Sequence, residues 1–359
     1  MPTISPPATV LVTGANGYIG LWVVLELLGK GYSVHAAVRT TDKSELLVSI
    51  ITRKLPDAPL RLTVFVVPDI TADGAFDEAV KGVQGVVHTA SPVTSTRSDL
   101  DEPDTYVRPA VDGTLVLLKS TLHRGENVKR VVITSSVSAI ASGFFLDTPT
   151  GTYTEETWND PAVKALEDKG KNAPNVIKYD ASKTLAERAA WTFMQDHKTK
   201  VKFDLSVINP VWVLGPVADD TLASPSALPL SALWMYKQIF EVPPPAERFP
   251  KRINYVDVRD VAEMHVRALE LEQAGGERFI LGAGVITWED LLSAAAEVNQ
   301  LPGLKKVDAM PAASAEPIVA FSNEKSKRVL GVKYRSVQET AKDIVEDLQS
   351  RGWLNHFED

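Results

Sequence analysis

A phenol and an ammonium four residues apart, Tyr179 and Lys183, are the side chains in this sequence best spaced to do chemistry together. The run from Tyr179 to His197 is helix-like, and on a helix that spacing puts both groups on one face, a turn apart. An ammonium favours phenolate and so lowers a phenol's pKa from its usual value of about 10. At about 4 Å and an effective dielectric near 20 the attraction is roughly 4 kcal/mol. That corresponds to about three pKa units, which brings a tyrosine close to donating or accepting a proton near neutrality. Taken alone, such a pair more often reads as a tyrosine ring packed on a lysine stem. Other residues have to favour the chemical reading.

The segment Ile133-Thr134-Ser135-Ser136-Val137-Ser138 ends an apolar stretch, Val128–Thr134, that reads as a strand. Its hydroxyls either cap free backbone groups or donate to a substrate carbonyl oxygen. No Gly-x-Ser-x-Gly surrounds them, which argues against a nucleophile elbow. Near the N-terminus, Thr9–Thr13 is a short apolar run suited to a buried strand. Gly14-Ala15-Asn16-Gly17-Tyr18-Ile19-Gly20 follows, then a helical run from Leu21 to Lys30 and a second strand, Val34–Val38. Glycines at this spacing, between a strand and a helix, let backbone N–H groups approach a pyrophosphate at the helix N-terminus. A turn that merely needs glycine does not explain all three positions.

An Asp or Glu about 20 residues beyond the motif would take the ribose hydroxyls of NAD. Here the place is held by Arg39, with Thr40, Thr41 and Lys43 beside it. A guanidinium suits a 2′-phosphate, so NADP(H) is the expected cofactor; the alternative is a solvated surface arginine.

The elements that would position these groups alternate. Residues 62–67 are strand-like, Ala75–Val80 helical, Val83–His88 a strand, and Glu102–His123 a longer helix. A short helix is expected from Asp160 to about Glu167, and a strand over Phe203–Asn209. Such alternation with short connections predicts an α/β protein with a doubly wound parallel (Rossmann) sheet. Ligands gather beyond the carboxyl edge of such a sheet. Asp69 and Ile70 are therefore expected near the adenine, and Thr89, Ala90 and Ser91 along the ribose and nicotinamide. His88 receives no role.

From 216 to 250 the pattern changes, with prolines at 216, 225, 229, 243–245 and 250 and a single helix near Leu230–Phe240. Tyr255–Ala262 reads as the opening of a helix that runs to about Glu272, and Arg278–Leu281 as a strand. Helices are expected near Trp288–Asn299, Asn323–Leu330 and Ser336–Ser350. The expected division is a dinucleotide-binding domain of 1–209 plus about 256–283. A smaller discontinuous C-terminal substrate-binding region would take about 210–255 plus 284–359.

Bulk properties narrow the class. The 359 residues are 44% hydrophobic and 23% charged, with a net charge of −8. That balance argues against a nucleic-acid or anionic-membrane surface. Cysteine is absent, so disulfides, thiolate nucleophiles and cysteine-ligated metals are excluded, and no metal is expected. The first residues lack a basic segment followed by an apolar one, and no apolar run reaches 18 residues. A cytoplasmic enzyme is expected, as a monomer or homodimer, acting on a small molecule.

In combination, Val10–Gly20, Thr134-Ser135-Ser136, Tyr179–Glu187, Asn209-Pro210 with Gly215-Pro216, and Tyr255–Ala262 resemble the extended short-chain dehydrogenase/reductase family. The likeness is to its branch of dihydroflavonol-reductase-like enzymes and fungal aldehyde/ketone reductases, and Ala320–Asn323 with Leu330-Gly331 is similar to that branch's C-terminal pattern. The resemblance implies a carbonyl reductase in which Tyr179 is the general acid. Lys183 would bind the nicotinamide ribose and hold the tyrosine pKa down, and Ser136 would hydrogen-bond the carbonyl oxygen. It also implies cofactor contacts from Thr134, Pro210 and Val213. Val93, Ser138, Trp158, Val211 and Trp212 are candidate pocket residues, each equally readable as core. Plant flavonoid reductases carry an asparagine where this chain has Ala141, and their Ser-to-Tyr segment is shorter. Both departures favour a simpler aldehyde or ketone, a keto ester included, over a dihydroflavonol.

Three other functions fit parts of the pattern. A nucleotide-sugar epimerase or dehydratase shares the scaffold but recycles a retained NAD, which suits Arg39 poorly. A cinnamoyl-type acyl-CoA reductase belongs to the same branch, although no clear cluster for CoA phosphates is visible. A non-catalytic NADP-binding regulator has no need of Ser136, Tyr179 and Lys183 together. The expected outcome of steady-state kinetics with both dinucleotides is a kcat/KM clearly higher for NADPH than for NADH; comparable values overturn the reading of Arg39.

Overall fold

The computed structural model describes residues 4–91, 102–142, 148–237, 252–299 and 319–354. Its first unit is β1 (Thr9–Thr13), α1 (Tyr18–Gly29), β2 (Ser33–Val38), α2 (Thr41–Lys54) and β3 (Leu62–Val66). β4 (Gly85–His88), α3 (Asp104–Arg124), β5 (Arg130–Thr134), the short β6 (Gly151–Tyr153), α4 (Asp160–Lys169) and α5 (Asn175–Asp196) follow. The chain continues through β7 (Asp204–Pro210), β8 (Trp212–Leu214), α6 (Leu230–Tyr236), β9 (Arg252–Asp257), α7 (Val258–Glu270) and β10 (Arg278–Leu281). It ends in β11 (Gly284–Thr287), α8 (Trp288–Asn299), β12 (Val319–Phe321) and α9 (Val337–Ser350).

Seven strands form one parallel sheet in the order β10-β7-β5-β4-β1-β2-β3. Its inner strands are runs of Val, Leu and Ile buried on both faces, as a sheet covered by helices on each side requires. The direction of strand addition reverses between β1 and β4, which opens the crevice where ligands settle in such sheets. Register aligns the strand ends there, with Thr13 opposite both Ala37 and His88, and His88 opposite Ile133. The glycine turn, Thr89 and Ser135 therefore emerge at one edge. β8, β9 and β11 make a separate three-stranded sheet, and β12 pairs with β6. Around the three-stranded sheet a second apolar core gathers Leu214, Met235, Tyr255, Ile286, Leu291 and Ile344.

Several elements differ from expectation, each for a local reason. α2 was not foreseen, although Leu47, Ile50 and Ile51 carry its buried face and the Thr40 side chain caps it by accepting from Lys43 N–H. Residues 75–80 form successive turns between Gly74 and Gly82, both at positive φ, where a helix was expected. Tyr255–Asp257 finishes strand β9; the helix starts after Asp257, whose carboxylate caps it by accepting from Arg259 N–H. Near 326–330 the chain makes one wide helical turn, closed by the left-handed Gly331.

Glu187, fully buried on α5, joins four elements. It accepts from Arg278 Nε of β10 at 2.5 Å, Ser135 Oγ beyond β5 at 2.6 Å and Asn209 Nδ2 of β7 at 2.8 Å. Arg278 also donates to the carbonyls of Glu155 and Thr157 and lies 3.9 Å from the Trp158 ring centroid. Removing one partner of such a pair leaves a charge buried and uncompensated. Glu187→Ala is expected to destabilise the fold by about 3–5 kcal/mol, measured as a fall in the unfolding midpoint; an unchanged midpoint counts against this role.

Candidate active site

The cofactor-side groundwork is laid by β1 and α1. Gly14 has φ +66°, and a Cβ there would lie 2.9 Å from the Ala90 backbone. A Cβ at Gly20 would lie 2.2 Å from the Gly14 carbonyl oxygen and 2.7 Å from Thr89 Oγ1. Only glycine lets the turn, the helix and the segment after β4 approach so closely. Gly17 is the N-cap of α1, with no side-chain cap and no acidic residue in the first turn. The helix N-terminus is thus left with backbone donors and no competing carboxylate, which fits a pyrophosphate. Thr89 Oγ1 donates to the Thr13 carbonyl, and the Ala90 N–H donates to Thr13 Oγ1, so these two residues fix the opposite wall.

Other expected cofactor residues take definite places. Arg39 and Lys43 are exposed beyond the carboxyl end of β2. Asp69 is exposed and accepts from the backbone and hydroxyl of Thr71, which hold its carboxyl below the usual range. Ile70 packs over Gly113 of α3. Tyr18 donates its hydroxyl to the Gly215 carbonyl at 2.6 Å, while Asn16 and Ile19 lie in the turn and first helical residues. Thr134 shares a 2.7 Å hydrogen bond with His265 Nε2. Pro210 ends β7 and Val213 is buried in β8.

Helix α5 brings Tyr179 and Lys183 to the same edge. The Tyr179 phenol lies beside the Ser136 hydroxyl, and Ser136 Oγ accepts from the Ser138 N–H at 3.1 Å. Lys183, largely buried, donates to Ser91 Oγ at 2.9 Å, with its Nζ 5.7 Å from the Tyr179 ring centroid. Ser136, Tyr179, Lys183 and Ser91, from three separate stretches, are thus assembled. A small cavity behind the lysine is lined by His88, Thr114, Ser135 and Glu187, among others.

The electrostatics correct one expectation. Desolvation, with the charge of Asp180 next in size, pushes the Tyr179 phenol up to about 12, and the Ser136 hydroxyl beside it lowers it only in part. The Lys183 ammonium is engaged by Ser91 Oγ and does not offset this desolvation. The site as it stands holds a protonated phenol. Burial and the neighbouring Lys183 keep His88 down at about 3, so its imidazole is neutral; its Nδ1 shares a 2.7 Å bond with Thr13 Oγ1.

Of the candidate pocket residues, Val93 lies outside the described residues. Val211 is buried in the main core. Trp158 is flanked by the guanidiniums of Arg278 and Arg188. The Ser138 hydroxyl lies beside the Asp180 carboxylate. Trp212 packs its ring 4.9 Å from that of Trp234, beside the second core. Sequence reasoning passed over Asp180, Glu187, His265 and Arg278. Polar residues inside otherwise apolar elements were the available signal, but their partners lie too far along the chain to be read from it.

Comparison with known proteins agrees with this architecture. A model of the NAD dependent epimerase/dehydratase family matches residues 10–282. The NADPH-dependent methylglyoxal reductase of Saccharomyces cerevisiae is 32% identical, over 95% of this chain and 98% of its own. A cinnamoyl-CoA reductase of Medicago truncatula is 34% identical, over 96% of this chain and 97% of its own. The crystal structure of the yeast methylglyoxal/isovaleraldehyde reductase complexed with NADPH superposes with a TM-score of 0.81 at 31% identity, covering 96% of this chain and 99% of that one. The chain belongs to the NAD dependent epimerase/dehydratase family, the extended short-chain dehydrogenases/reductases.

Proposed function

We propose that this protein is an NADPH-dependent carbonyl reductase that converts an aldehyde or ketone, keto esters included, to the alcohol. The observation that carries the proposal is the juxtaposition of Tyr179, Ser136 and Lys183 at the edge where the glycine turn opens. Relatives named for NADPH-dependent reduction of methylglyoxal support the cofactor and the reaction class. Arg39 and Lys43 are assigned to the 2′-phosphate. Residues of the second core, with Trp212 and Trp234, are assigned to the substrate-binding region.

NADPH, when bound, supplies the hydride. The chain's own part is to place the carbonyl and neutralise the charge that grows on its oxygen. Ser136 and Tyr179 offer two hydroxyl donors to that oxygen, and such donors act most strongly in a site that excludes water. Tyr179 then gives its proton. A phenol with raised proton affinity is stable as the acid before reaction, and Lys183 stands close enough to stabilise the phenolate left behind. Lys183 and Ser91 are assigned to the nicotinamide ribose.

NADPH oxidation with a panel of aldehydes, ketones, β-keto esters and a cinnamoyl-CoA is expected to show turnover with simple carbonyls. Tyr179→Phe is expected to lower kcat by about 10²–10⁴-fold, the usual worth of a positioned acid, with the KM for NADPH unchanged. Near-wild-type turnover in this variant overturns the proposal.

A further inference from the structure

The residue after the proposed acid is itself buried and charged. Asp180 is 4% exposed, and its carboxylate points away from the cleft, into the contact between α5 and the turn that follows β5. Ser142 Oγ donates to Asp180 Oδ2 at 2.6 Å, and the Ser138 hydroxyl lies beside the same carboxylate. Asn159 Nδ2 braces both ends of this turn, donating to the Ser138 carbonyl at 2.8 Å and to Ser142 Oγ at 3.0 Å. Thr184, one turn along α5, donates to the Asp180 carbonyl. Ser138 is also the residue whose N–H holds Ser136 Oγ. The carboxylate therefore grips the turn that carries one hydroxyl of the site, from the helix that carries the other.

Few charges compete with it. Lys178, on the other side of Tyr179, is fully buried, and Lys183 is engaged by Ser91. On α4 the facing carboxylate, Asp160, is paired to Arg188 at 2.6 Å. On α5 itself Glu187 is paired with Arg278 of β10, and α3 carries Tyr106, bonded to Asn175, and the exposed pair Arg108–Asp112. His88, from β4, faces Lys183 and is neutral.

We propose that Asp180 is a positioning residue for proton transfer: it fastens the Ser136 turn to the Tyr179 helix and keeps a negative charge beside the phenol. Burial raises the Asp180 carboxyl to about 6, so above that pH it carries a charge that disfavours phenolate and favours the form that acts in reduction. The proposal rests on the assignment of Tyr179 as the acid.

The test is Asp180→Asn, assayed in carbonyl reduction and in oxidation of the product alcohol with NADP+ as a function of pH. Oxidation needs the phenolate, so its rate climbs with pH. In Asp180→Asn that climb is expected to move to lower pH by about one unit, the size of shift a neighbouring charge produces. The reduction kcat is expected to fall about 5–20-fold, as a misplaced donor predicts, with the KM for NADPH unchanged. An unmoved pH profile overturns the proposal, whatever happens to kcat, since a purely structural clamp would leave it in place. If Asp180→Asn does not fold, Ser142→Ala keeps the charge and removes two hydrogen bonds, to Asp180 and from Asn159. It should lower kcat by about 3–10-fold with an unmoved profile, and wild-type kcat there overturns the clamp. Tyr179→Phe measured alongside separates the two ideas: if it stays active, the assignment of the acid has failed, and Asp180 has no phenol to act on.

Discussion

Everything at the candidate site hangs on one buried ion pair, Glu187 with Arg278. A carboxylate and a guanidinium taken out of water are tolerable when further hydrogen bonds satisfy most of their remaining lone pairs and N–H groups. Here Glu187 has Ser135 and Asn209 as further donors, and Arg278 Nη1 has two backbone carbonyls; its Nη2 has no hydrogen-bond partner among the described residues, and the guanidinium lies against an aromatic face. The cluster locks β5, β7, β10 and α5 in one arrangement. Ser135 precedes Ser136, and the Ser136 carbonyl accepts from the Asn209 side chain at 3.0 Å. The catalytic-type hydroxyls are therefore held from behind by groups that never meet a substrate. Distances of a fraction of an ångström matter to proton transfer, and this is where they are set.

A second constraint is closeness of backbone at the glycine turn. Gly14 and Gly20 leave no space for a side chain between β1, α1 and the segment after β4. The crevice between β1 and β4 is shaped by that contact on one side and by the Tyr179 helix on the other. α1 in turn reaches outward, with Tyr18 on the Gly215 carbonyl and Trp22 Nε1 on the Pro216 carbonyl at 3.0 Å. The same helix borders both the glycine turn and the start of the Pro-rich segment.

Much of this was legible in the sequence, for physical reasons. Buried parallel strands need unbroken apolar runs, so Thr9–Thr13 and Val128–Thr134 stood out, and glycines fixed by contact distance announce themselves by spacing. The resemblance of the Ser136 and Tyr179 segments to a known family supplied the rest of the site. What stayed hidden depends on partners distant in sequence. The proton affinity of Tyr179 was misjudged because it follows from burial and from Asp180, which a helical spacing rule cannot see. Strand β9 was taken for the start of a helix, because Asp257 serves both as its last residue and as the cap of α7. The pocket candidates Val211 and Trp212, just beyond β7, rest on position alone, and Val211 proves to be part of the core.

The reach of α1 has a consequence for biosynthesis. Tyr18 meets a carbonyl 197 residues ahead of it, Trp22 one 194 ahead, and Arg278, which holds the site from behind, is made later still. The glycine turn leaves the ribosome first, yet its surroundings are complete only after β10 has emerged. At about 5–20 residues per second that is a wait of roughly 10–50 s. For that time the apolar faces of β1, β4 and β5 have no finished sheet to enter. A nascent chain of this design has to be kept from aggregating for most of its own translation.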